Sequence, residues 1–145
     1  MSITENQNEY STFNSPLELG TRSALILTAL EVKLSLDDLV LLDYALLYSE
    51  EFNGPESLHP ALPNRLAEIG HRREFLPESL TFFAKRGLIC AHIEESGHYY
   101  SANQQTLYFI SSLKSAYYKK AWIRLSWLRV NYMSILEKSF PKFNG

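Results

Sequence analysis

Cys90 is the only cysteine in the chain, so no disulfide can form within it. No uncharged apolar run reaches the length of about 18 residues that a membrane span requires, and no basic stretch followed by an apolar one opens the sequence. A soluble cytosolic protein is expected. Basic residues are scarce in the first part: residues 1–63 hold only Arg22 and Lys33 against ten acids, a net of −8. Residues 64–145 reverse the balance, with twelve basic residues and six acids, a net of +6. Such a split suggests one surface for an anionic partner and another for a cationic one, or two halves whose charges pair when folded.

Catalytic patterns are also lacking. No glycine-rich phosphate loop is present. Cys90 lies in a predicted strand without the surroundings of a nucleophile. His92 and His98 fall on opposite faces of a predicted hairpin, which argues against a shared metal. His59, held before Pro60, reads as a hydrogen-bonded loop anchor. Asp43, in a nearly all-apolar segment, needs a partner if buried, and capping a neighbouring loop is the expected use. The expectation is a protein without enzymatic activity, metal, cofactor or small-molecule substrate.

What is present is helical punctuation. The chain of 145 residues suits one domain, expected over residues 14–140, with tails at 1–13 and 141–145. Ser15-Pro16-Leu17-Glu18 predicts a capped helix start, with Phe13 and Leu19 at staple positions and Glu18 closing a capping box. Ser35 and Asp38 repeat that signal before a second helix, apolar on nearly all sides, that ends near Ser49. A third helix is expected to show Leu66, Ile69 and Leu76 on one face and Arg65, His71, Arg72 and Glu74 on the other. Pro77 should break or kink it. A further piece should pack Leu80, Phe82 and Phe83 and stop at Gly87.

Residues 89–102 alternate around Ser96-Gly97, a two-residue hairpin signal. That register sets Glu95 opposite His98, Ile93 opposite Tyr100 and Ala91 opposite Ala102. Asn103 should cap the next helix, and a joint is expected near Ser115. The final helix, to about Lys138, presents Tyr118, Ala121, Leu125, Leu128, Tyr132 and Leu136 to the core. Ile123, Trp127 and Val130 form a second stripe, flanked by Lys119 and Lys120. That stripe is either a partner interface or the contact to another layer of the same domain.

The order of elements predicts a mostly α fold with a small β-hairpin wing: a winged-helix-like domain with N- and C-terminal helical extensions. An all-helical domain with an incidental hairpin is the alternative. In a winged helix, Arg72, Arg73, Lys85 and Arg86 can face phosphates, and Lys119 and Lys120 are further candidates. The bland reading is a solvated helix face.

Several stretches carry a resemblance: Phe13 to Glu18, Leu41-Leu42-Asp43-Tyr44 with Tyr48-Ser49, Gly54 to Pro60 (GPESLHP), Arg72-Arg73, and Arg86-Gly87-Leu88-Ile89. Together they resemble the middle component of ABC-three-component systems, the bacterial operons that include the Lamassu-type defence systems. The resemblance implies an adaptor related in fold to winged-helix accessory subunits of SMC complexes. Its implied partners are an SMC-like ABC ATPase and an effector, often a nuclease, encoded in the same operon, with DNA as a further contact of the complex. A winged-helix transcription regulator is the competing reading. Within GPESLHP, Glu56 is expected to dock a partner, while Ser57 and His59 either dock with it or tie off helix ends internally.

Overall fold

The computed structural model describes residues 15–59 and 64–139. The expected tails, the staple residue Phe13 and Pro60 lie outside the described residues. Five α-helices and a three-stranded sheet are present among those described: α1 (Pro16–Leu30), β1 (Leu34–Ser35), α2 (Leu36–Leu47), α3 (Arg65–Lys85), β2 (Cys90–Glu94), β3 (Gly97–Ser101), α4 (Gln104–Ser111) and α5 (Ala116–Ser139). A short 3₁₀ turn, Ser49–Phe52, follows α2.

Local chemistry sets the helix ends. Ser15 Oγ accepts from the Glu18 N–H at 3.2 Å, and Ser35 with Asp38 makes a reciprocal capping box. Glu18 does not close the first box; its carboxylate accepts from Tyr118 Oη at 2.9 Å, tying α1 to α5. Asn103 and Thr106 cap α4 reciprocally. Gly87 ends α3 with φ +73°, while the Gly87 and Leu88 N–H groups return to the carbonyls of Ala84 and Phe83. That is the Schellman arrangement, which needs a left-handed residue after the cap.

Pro77 sits inside α3 without ending it. Interior proline costs about 3 kcal/mol, but Leu76, Ser79, Leu80 and Phe83 are buried on either side of it and hold both halves against the core. The inward face of α3 is therefore Glu68, Arg72, Leu76, Ser79, Leu80 and Phe83. Leu66 and Phe82, expected to pack, are 81% and 43% exposed.

β1 was not anticipated as a strand. It pairs with β3, Leu34 opposite Tyr100 and Ser35 opposite Tyr99, which gives the sheet order β1-β3-β2. The sequence α1-β1-α2-α3-β2-β3 with this order is a winged-helix-like fold. The hairpin closes one residue earlier than expected: Glu94 pairs with Gly97, Ile93 with His98 and Ala91 with Tyr100. The apolar face survives only at the sheet's base, where Ile89 and Tyr100 are buried; Ile93 projects into solvent on the wing.

The helices stack in three layers. α1 and α2 each pack against α3 on one side and α5 on the other. This sandwiching explains why every residue from Leu19 to Leu27 and from Leu39 to Ser49 is buried, polar ones included. The expected inward face of α5 holds, with Ala121, Leu125 and Leu128 fully buried and Tyr118, Tyr132 and Leu136 packed at its margins. Among the described residues no helix is long and apolar enough to cross a membrane.

Candidate functional site

Burying the middle layer on both sides traps charge within it. Arg22 on α1 forks onto Asp43 of α2, Nε to Oδ1 at 2.8 Å and Nη2 to Oδ2 at 3.0 Å. Arg72 of α3 donates from Nε to Asp43 Oδ2 at 2.9 Å, and from Nη1 to the Glu68 carbonyl and carboxylate at 3.0 Å. All four side chains are buried. Burial alone would raise the Asp43 carboxyl, but the two guanidinium groups beside it hold it below the usual carboxylate range. Two cations and two anions thus cancel, and one residue or more from each of α1, α2 and α3 is locked into a common register.

This cluster corrects two expectations. Asp43 does not cap a loop, and Arg72 does not present its charge to an external phosphate. Arg22 drew no attention in the sequence. An isolated arginine amid leucines was the available signal, since such a charge must be paired if its helix is buried.

The connector between α2 and α3 lies against this cluster. Ser57 Oγ accepts from the Glu50 N–H while the Ser57 N–H donates to Glu50 Oε2, both at 3.0 Å. The Leu58 and His59 N–H groups donate to the Leu47 carbonyl, finishing α2. Ser49 Oγ donates to the Pro55 carbonyl at 2.7 Å. Arg124 of α5, mostly buried, donates from Nε to the Glu56 carbonyl at 2.9 Å. Trp127 covers Gly54 so closely that a Cβ there would come within 2.5 Å of the indole. The segment is a pinned strap, and the Glu56 side chain is what it leaves exposed.

His59 faces inward. Its ring meets Tyr48 edge-on at 6.1 Å between centroids, and Nε2 lies 3.3 Å from Tyr117 Oη. Burial, then the positive charges of Arg22 and Arg72, push its pKa down from 6.5 to about 4. The unfolded chain therefore takes up this proton below pH 6.5, whereas the folded chain resists until about 4. The His59 contribution to stability is complete above pH 6.5 and declines as pH falls towards 4. Denaturant midpoints measured at neutrality and about one and a half pH units lower should diverge more in the native chain than in His59→Gln. Parallel pH slopes in the two proteins would rule this out.

Two outward helix faces, on α3 and α5, carry the remaining candidate residues. On α3, Arg73, Glu74, Phe75, Glu78, Phe82, Lys85 and Arg86 are exposed. A groove of about 500 Å³ runs between Pro77, Phe82 and Arg86, whose guanidinium stacks 3.5 Å above the Phe82 ring centroid. On α5, Lys119 and Lys120 are exposed, and Ile123 and Val130 are 61% and 82% exposed. Trp127 does not complete that stripe, because it turns inward onto Gly54. Its place is taken by Trp122 and Met133, which the sequence reading missed. In the wing, His92 Nε2 lies 2.8 Å from Ser101 Oγ, and Cys90 Sγ accepts from Asn103 Nδ2 at 3.3 Å.

A family model, described as ABC-three component (ABC-3C) system Middle Component 2, matches residues 12–143. The chain belongs to that family. No curated protein and no solved structure matches it. As an ABC-3C middle component the chain is one part of a multi-component system, with an accessory role alongside the other components. The pinned strap and both outward faces lie within the matched residues.

Proposed function

We propose that this middle component is a non-catalytic adaptor that links the SMC-like ABC ATPase of its system to the effector, of nuclease type, in defence against phage or plasmid DNA. The carrying observation is the pair of outward faces on opposite sides of the sealed α1–α2 layer, each bearing large exposed apolar side chains. A subunit that must hold two proteins at once needs two such surfaces joined by a core that does not yield. The charged groups at its centre are engaged with one another, which suits a structural role.

Protein docking is favoured over DNA reading on α3. Arg73, Lys85 and Arg86 share their face with Glu74, Glu78, Leu66, Phe75 and Phe82, and Arg72 is withdrawn. Mixed charge around apolar side chains resembles the core and rim of a protein interface more than a phosphate track. In this reading α3 and the exposed Glu56 receive one component, and the α5 face of Ile123, Val130, Trp122 and Met133 receives another subunit.

Co-expression with the proteins of the same operon, followed by recovery through a tag on this chain, tests the reading. The native chain should bring down an ABC ATPase. Leu66→Asp and Glu56→Lys should reduce that recovery while leaving the thermal melt unchanged, since both side chains are exposed. Recovery of no ATPase by the native chain, or undiminished recovery by the double variant, would defeat it. Trp127→Asp is unsuited as a probe, because it also releases the strap.

A further inference from the structure

The outward face of α5 carries a second pattern. Lys119, Ile123, Ser126, Val130, Met133 and Glu137 are all exposed and recur at intervals of four, three, four, three and four residues. That is the a/d spacing of a coiled-coil seam, on the side of the helix that its own domain leaves uncovered.

We propose that a second copy of the chain closes this face through an antiparallel helix pair. The inference rests on the α5 face being an intersubunit surface and makes the adaptor a pair: the second copy occupies α5, and the two α3 faces of the pair remain for the components it links. The register is self-complementary. Placing Ser126 opposite Val130 of the second copy also places Ile123 opposite Met133 and Lys119 opposite Glu137. By two-fold symmetry each layer occurs twice, giving six layers over about 28 Å of helix. The four inner layers bring Ile, Met, Val and Ser together, and the two outermost layers close with opposite charges.

Charge also selects the direction. A parallel pair would set Lys119 against Lys119 and Glu137 against Glu137 at its two ends. The antiparallel pair replaces both repulsions with attractions. Ser126 suits the centre, since its hydroxyl already donates to the Trp122 carbonyl at 3.1 Å and needs no further partner when water leaves. Its small side chain also gives Val130 room to approach. Arg129, which falls near the dyad, would meet its own copy. It arrives paired with Glu31 at 3.3 Å, so the meeting groups are ion pairs and not bare cations.

Sedimentation equilibrium of the purified chain, from low micromolar to submillimolar concentration, tests the proposal. The weight-average mass should climb from the monomer towards twice that value. Val130→Asp should hold the chain at monomer mass with an unchanged melt. Lys119→Glu should weaken association by roughly tenfold, because it affects both ends of the pair. Adding Glu137→Lys to that variant should restore it, as only an antiparallel pair exchanges those charges. A native chain that stays monomeric overturns the proposal. So does a dimer indifferent to Val130→Asp, or one that the double charge exchange does not rescue. A monomer whose Val130→Asp variant loses the ABC ATPase in co-purification would give the face to another component, overturning self-pairing while leaving the adaptor reading intact.

Discussion

Asp43→Ala is expected to cost the domain about 3–5 kcal/mol in denaturant unfolding, the range seen when one partner of a buried ion pair is removed. Domains of this size hold about 5–15 kcal/mol in all, so much of the variant should be unfolded or melt far earlier. The cause is what remains. Arg22 and Arg72 would face each other in the middle layer without the carboxylate that accepts three of their N–H groups. Glu68 compensates one charge through Arg72 Nη1, but the carboxylate that faces both Arg22 Nε and Nη2 is gone.

The comparison that isolates the mechanism is the quadruple variant Arg22→Met, Asp43→Leu, Glu68→Met, Arg72→Met, which removes all four charges together. Replacing a buried charged set by apolar side chains of similar volume is often neutral or stabilising. The quadruple should therefore recover most of the stability lost by Asp43→Ala. If Asp43→Ala loses less than about 1 kcal/mol, the cluster is not a determinant of stability. If the quadruple is as unstable as the single, geometry and not unpaired charge is the cause.

Gly20→Ala should also destabilise, although propensity predicts the reverse. Alanine within a helix gains about 1 kcal/mol over glycine. At this position a Cβ would lie 2.3 Å from Phe83 Cε1 and 2.6 Å from Cδ1. Phe83 has nowhere simple to go: it is buried and its ring packs edge-on against Phe109 with centroids 5.7 Å apart. Overpacking costs about 1–3 kcal/mol when neighbours cannot relax, so the clash should exceed the helical gain. A calorimetric melting temperature several degrees below the native value is expected, and an equal or higher one would show that α1 and α3 can separate without loss. Gly20→Ala paired with Phe83→Leu should restore part of the difference.

In the connector between α2 and α3, local pattern marks the turn but not the direction of its side chains. Its composition, a glycine and proline followed by Glu56, Ser57 and His59, marked a stiff turn. Whether those side chains pointed out or in depended on Tyr48, Tyr117 and Arg124, none of which is adjacent in the chain. Only Glu56 was left outward. The same holds for Arg72 and Arg73, chemically identical neighbours: one is fully buried and the other is exposed, because Asp43 lies 29 residues away on the inward side.

By itself the sequence determined the helix boundaries at Ser15, Ser35, Gly87 and Asn103, the inward face of α5, and the burial of α2. Each of these is decided within a few residues, by a capping hydrogen bond or a 3.6-residue period. Tertiary structure alone decided that Pro77 would be carried through a continuous α3, that β1 would join the hairpin by pairing Leu34 with Tyr100, and that Trp127 would seal Gly54 while Trp122 stayed outside. In each case the deciding partner sits on a distant segment, and a local pattern contains no information about which of its faces that segment will cover.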